Sequence, residues 1–179
     1  MKTTVSERKT IIERRERWYA VYTQARHEKK VAERFDEQGV RYFLPTHKIL
    51  KQWSDRKKWV EEPIFKSYIF VRVGLRKYEL VLNTEGVVTF VKFNSFPEPV
   101  SDEVIKSLVK LIQSEEEFEV NSEHFEVDEK VKVARGPLKG IIGQVAEVHG
   151  KYKLIIHVEV LGRNILVNVN KNQIEKLNR

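Results

Sequence analysis

The chain has 179 residues, no cysteine and a formal charge of +7, which excludes disulfide frameworks, cysteine-ligated zinc and thiol nucleophiles and suits a reducing cytoplasm. Its apolar runs are short and broken by charge, and residues 1–17 are basic without a continuous apolar stretch, so neither a membrane span nor a secretory signal is expected. The charge is segregated, with −8 on residues 101–129 and +7 on residues 130–179, and basic segments of this kind can attract phosphate backbones by releasing counterions.

Residues 1–17 are read as an N-terminal arm, whether helical, disordered or a specificity element. WYAVYT at 18–23 is aromatic and β-branched and predicts a strand. In HEKKVAERFDEQG, Val31 and Phe35 stand four apart and Gly39 supplies a stop, which predicts a helix. VRYFL at 40–44 and SYIFVRV at 67–73 predict two more strands, joined by the basic segment KQWSDRKKW, a hairpin-like projection. Residues 75–83 place Tyr78, Val81 and Leu82 on one helical side, and GVVTFVKF at 86–93 predicts a fourth strand. The order β-α-β-β-α-β is that of a ferredoxin-like domain. Ser101 reads as the N-cap of an extra helix with a broad apolar stripe, expected to pack on this first domain. Residues 114–127 are acidic without periodicity and read as a mobile linker. Residues 128–179 alternate short β-branched runs with glycine turns, which predicts a small β-barrel. The class is therefore α+β, with domains at 18–113 and 128–179.

The segments WYAVYTQARHEKKVAERF, IFKSYIFV, TEGVVTFVKF followed by PEPVSDEVI, and the terminal VKVARGPLKGIIGQVAEVHGKYKLIIHVEV together resemble the NusG family of transcription elongation factors, over residues 18–177. The resemblance implies an N-terminal NGN domain and a C-terminal SH3-like KOW barrel. QWSDRKKWVE resembles the UpxY branch, whose members are antiterminators for polysaccharide-biosynthesis operons.

What the resemblance implies about sites can be set against the residues. The family's first domain docks on the clamp helices of the largest RNA polymerase subunit through an aromatic depression, which maps to Tyr22, Tyr68, Phe70 and Phe93. The other account of these rings is core filling. Alternation puts Tyr68 and Phe70 on one face of their strand and Ile69 and Val71 on the other, and the second pair suits the helix side. In the projection, Lys51, Arg56, Lys57 and Lys58 are candidates for phosphate contact with non-template or upstream DNA and Trp53 for base stacking. The alternative there is a solvated loop with Trp59 packed beneath it.

In the barrel, the family's partner surface maps to Leu138, Ile141 and Leu161, for termination factor Rho or a small-subunit ribosomal protein, or else these are ordinary barrel-end residues. Two departures stand out. Phe65-Lys66-Ser67-Tyr68 replaces the usual Phe-Pro-Gly-Tyr or Phe-Pro-Asn-Tyr, so the strand entry is expected to be less fixed. A polar triad for a second polymerase contact has no counterpart near residues 76–79.

The five histidines lack metal-ligand spacing and no phosphate loop or nucleophile motif occurs, so neither cofactor nor enzymatic activity is expected. The reading is a monomeric cytoplasmic antitermination factor that suppresses pausing. Its rivals are a general NusG supporting Rho-dependent termination and a polymerase-independent RNA-binding module.

Overall fold

The computed structural model describes residues 16–53, 56–123 and 130–177. The expected N-terminal arm up to residue 15 and residues 124–127 of the expected linker lie outside them. The chain forms two compact units, Met1–Pro99 and Val100–Arg179.

The first unit runs β1 (Arg17–Thr23), α1 (Glu28–Glu37), β2 (Arg41–Phe43), β3 (Thr46–Gln52), β4 (Lys57–Pro63), β5 (Tyr68–Val73), α2 (Tyr78–Leu82) and β6 (Val87–Phe90), then the short β7 (Lys92–Phe93), β8 (Phe96–Pro97) and β9 (Pro99–Val100). Strands β2, β5, β1 and β6 lie side by side in that order with antiparallel neighbours, while β3 and β4 pair only with each other.

On α1 the residues Val31, Ala32 and Phe35 share one face, and they are buried against Val21, Ile69, Val71 and Phe90 of the sheet. Full burial of a ring such as Phe35 is worth about 1.5–3 kcal/mol. Tyr78 stacks on Phe90 with centroids 3.8 Å apart and planes 9° from parallel. Burial, and secondarily the neighbouring Tyr19, push the Tyr78 phenol above its ordinary pKa. The expected apolar side of α2 is narrower than its sequence suggested: Val81 is buried but Leu82 is exposed, because five residues turn through little more than one helical turn.

The entry to β5 is tightly held, contrary to expectation. Ser67 has φ 65°, the left-handed region that glycine or asparagine adopts with less strain. Its N–H donates to Oε1 of Glu28 at 2.6 Å, and its carbonyl accepts from Thr23 N–H at 2.8 Å. Glu28, on the first turn of α1, is buried at this contact. A carboxylate thus secures a turn whose backbone is strained for serine.

The second unit holds α3 (Asp102–Ser114), β10 (Phe118–Asn121), β11 (Lys130–Val133), β12 (Ile142–Val148), β13 (Lys151–Val158), β14 (Arg163–Asn168) and β15 (Ile174–Lys176). Among the described residues six strands lie in the antiparallel order β10-β14-β13-β12-β11-β15, the all-β C-terminal domain that was expected. Two expectations are corrected here. The expected acidic linker contributes a strand: β10 pairs with β14 from Phe118↔Val167 to Asn121↔Asn164. Glu119 also meets the largely buried Lys153 Nζ at 2.7 Å, and that hydrogen bond holds the Glu119 carboxyl below its usual pKa.

The second correction concerns α3, expected to pack on the first domain but grouped with the barrel. Ser101 caps it as expected, its Oγ accepting from Val104 N–H at 3.2 Å. Ile105, Leu108 and Leu111 form its buried stripe, interrupted by Ser107, whose hydroxyl approaches the N–H and carbonyl of Ile142 within 3.5 Å. Glu103 pairs with Lys130 at 2.6 Å. The small polar side chain admits the helix close to backbone where a leucine would hold it off.

Ser67→Gly is expected to raise unfolding free energy by about 1 kcal/mol, and Glu28→Ala to lower it by about 1–3 kcal/mol, both read by urea denaturation. Because the Glu119 carboxyl is depressed, its contribution is present above the unfolded carboxylate pKa and lost as pH falls through the folded one. Amide exchange of Phe118–Asn121 should therefore accelerate, relative to the rest of the barrel, below about pH 4, and Glu119→Gln should abolish that extra acceleration.

Candidate docking and nucleic-acid interfaces

Strand pairing determines which rings share the sheet face opposite α1 and α2. Phe70 lies opposite Ala20 on one side and Phe43 on the other, and Tyr22 lies opposite Tyr68 and Thr89. These positions alternate with the Val21, Ile69 and Val71 row of the core, so the expected division of faces on β5 holds.

Their exposure divides them further. Phe70 is fully buried: Phe43 stacks on it at 6.3 Å and Phe65 meets it edge-on at 6.0 Å. This corrects its assignment as an exposed docking ring, because aromatic neighbours from two other segments have closed over it. Tyr68 is half-buried, and Tyr22, 41 % exposed, packs against it at 5.4 Å.

Phe93 lies on a separate two-stranded ribbon. The N–H of Val91 donates to the Ala20 carbonyl at 2.8 Å, and beyond it the chain leaves the sheet through β7 and β8, turning at Asn94 (φ 48°) and Ser95 (φ 70°). At that turn Phe93 and Phe96 are cross-strand partners, 67 % and 76 % exposed. Sequence reasoning missed Phe96, whose signal was a second phenylalanine across an Asn-Ser turn, and also Phe43 and Phe65, which lack any local mark of their distant partner.

The basic projection is a regular antiparallel hairpin of β3 and β4, paired from Thr46↔Pro63 to Gln52↔Lys57. At its end Trp53 N–H donates to the Arg56 carbonyl at 2.8 Å. Trp53 is 54 % exposed and Trp59 64 % exposed, so Trp59 does not pack beneath the loop as the alternative account had it. Trp59 lies opposite Leu50, also exposed, and the two form an apolar spot on one hairpin face. The cations differ in their engagement. Lys51 pairs with Glu62, whose carboxyl that hydrogen bond lowers below its usual pKa, while Lys58, the cross-strand partner of Lys51, and Lys57 are exposed.

In the barrel, Leu138 and Ile141 are buried, which corrects their assignment to an open partner surface. Ile141 N–H donates to the Leu138 carbonyl at 3.0 Å and Gly140 N–H to the Val133 carbonyl at 2.7 Å, a compact turn that carries both side chains inward. Leu161 is half-buried on the 3₁₀ turn Glu159–Leu161, so the three do not make one exposed patch. Among the described residues no group of three or more histidines, acids or cysteines is placed to hold a metal ion, and no helix is long and apolar enough to cross a membrane.

Comparison with known proteins agrees with this architecture. A family model described as "Transcription termination factor nusG" matches residues 16–109. The "Transcription termination/antitermination protein NusG" of Staphylococcus aureus is 30% identical over 176 residues, covering 90% of this chain and 96% of the relative. The protein of the same description from Halalkalibacterium halodurans is 29% identical over 175 residues, covering 89% and 98%. A solved structure described as "Domain interaction in Thermotoga maritima NusG" superposes with a TM-score of 0.50 at 25% identity, covering 91% of this chain and 98% of that one.

The different burial of the aromatic positions predicts different costs. Phe70→Ala should destabilise the first unit by about 3–5 kcal/mol, whereas Phe93→Ala or Phe96→Ala should change stability by less than about 0.5 kcal/mol, as measured by chemical denaturation.

Proposed function

The chain belongs to the NusG family of transcription termination/antitermination factors, and on that premise we propose that it binds elongating RNA polymerase through exposed aromatics of its first unit and suppresses pausing and termination. The observation that carries the reading is the exposure of Tyr22, Phe93 and Phe96 on a chain of this family, with Tyr68 half-buried beside Tyr22. Covering a large exposed ring is worth about 1.5–3 kcal/mol, so three or four such rings supply the apolar part of a specific contact. The occupant proposed is the clamp-helix tip of the largest polymerase subunit. Helix tips present apolar side chains in a narrow front that rigid rings can grip.

The action is mechanical. A factor that binds the closed clamp more tightly than the paused, loosened one shifts the population toward elongation by that difference in affinity. The β3–β4 hairpin adds a second contact in this proposal, with Lys57, Lys58 and Arg56 on phosphates of upstream or non-template DNA and Trp53 on a base. Its support is the hairpin geometry and the outward exposure of Trp53. The same segment, QWSDRKKWVE, supports assignment to the UpxY-like branch and a polysaccharide-biosynthesis operon as target. A tethered barrel that recruits a further partner would gain from raised local concentration.

Replacing Tyr22, Phe93 and Phe96 together by alanine should weaken co-purification with core polymerase at least about tenfold, one 1.4 kcal/mol step, while circular dichroism stays unchanged. Full retention of binding would refute the surface. Reversing Arg56, Lys57 and Lys58 to glutamate should lower the salt slope of elongation-complex binding by about 0.9 per phosphate lost, and an unchanged slope would remove the DNA contact. In a run-off assay the intact protein should shorten pauses, and dependence of its effect on Rho would point instead to a general termination role.

A further inference from the structure

The second unit contains a cleft of about 610 Å³, lined in part by Leu138, that the function proposed above does not use. That volume is in the range of sites that enclose a small molecule or a short stretch of polymer. The apolar side chains of Val133, Leu138 and Val169 lie beneath it, almost wholly buried. Around it stand three cations, Arg135, Lys151 and Lys171, drawn from the segment after β11, the start of β13 and the segment after β14. Lys171 Nζ lies 4.1 Å from the centroid of the Tyr152 ring, which fixes an ammonium and an aromatic ring together in the wall.

One neutral side chain is oriented with unusual clarity. Oε1 of Gln173 accepts the Asn170 N–H at 3.0 Å, so the amide's NH₂ is the end that faces away from that bond. Nε2 comes so near Gly136 that a Cβ there would lie 2.8 Å from it, and Gly136 itself has φ 84°. The glycine makes room for the amide at the cleft. Asn168, also in the lining, adds a second amide with both donors and acceptors.

We propose that this cleft binds single-stranded nucleic acid, with Arg135, Lys151 and Lys171 on successive phosphates and a base lying over the apolar floor with its edge toward Gln173. Three features favour this ligand over an acidic peptide. The residues 130–179 carry +7, suited to a polyanion of regular charge spacing. Amides that both donate and accept match base edges, whereas carboxylates only accept. An apolar floor between cations accommodates a flat base between phosphates. Glu116 is the only acid among the described lining residues, and it opposes phosphate binding from the rim.

The test uses the full chain carrying Arg56→Gln, Lys57→Gln and Lys58→Gln, so that the first unit's hairpin does not dominate the signal. Fluorescence anisotropy with a labelled single-stranded oligouridine, and with oligothymidine of equal length, is the readout. Adding Arg135→Gln, Lys151→Gln and Lys171→Gln should raise Kd at least about tenfold for both and lower the salt slope by about 2, at about 0.7 per phosphate. Glu116→Gln should tighten binding severalfold. Gln173→Glu, which keeps the acceptor for the Asn170 N–H and removes the NH₂ donor, should weaken it severalfold with the cations in place, and the Tyr152 ring resonances should shift on titration. An unaltered Kd and slope in the triple cleft variant would overturn the site even if it remains folded. So would static Tyr152 resonances at saturation, or displacement of the oligonucleotide by polyglutamate at equal charge concentration.

Discussion

Phe70 sits mid-sheet on the side opposite α1 and α2, and the rings of Phe43 and Phe65 close over it. A sheet that places its helices on one face must otherwise leave the other in water, at a cost proportional to the apolar area exposed. Here the cost is reduced at the centre of the face and retained toward Tyr22. Rings at the centre hold the strands in register, and rings at the margin remain available to a visitor. The docking proposed for the first unit depends on this division, since an open margin is useful only if the sheet beneath it does not rearrange.

The local chemistry of the sequence contained much of the fold and less of the site. Alternation along SYIFVRV separated Tyr68 and Phe70 from Ile69 and Val71 correctly, because a strand's two faces follow from its period alone. Whether a face is wet depends on what arrives from elsewhere, and Phe43 and Phe65 carry no local sign that they will meet over Phe70. The same holds for β10. Glu119 and its acidic neighbours look solvated until Lys153, distant in sequence, supplies the opposite charge through β14's neighbour. In α3 the apolar stripe was visible, but the surface it would cover was not, and Ser107 became informative only beside the backbone of Ile142.

The two units handle positive charge differently. On the β3–β4 hairpin, Lys51 is neutralised by Glu62, while Lys58 opposite it and the adjacent Lys57 are exposed, near two exposed indoles. In the barrel, Arg135, Lys151 and Lys171 gather around a recess with an apolar floor. A projecting cation reaches a backbone from the side, while a recess can enclose one.

The serine at the entry to β5 ties distant positions together. Glu28 holds the Ser67 N–H and Thr23 holds its carbonyl, so a helix and a strand together fix a turn that is strained for serine. Glycine at 67 would relieve the strain of the positive φ but would present the same N–H to Glu28, so the acid keeps its partner whichever residue stands there.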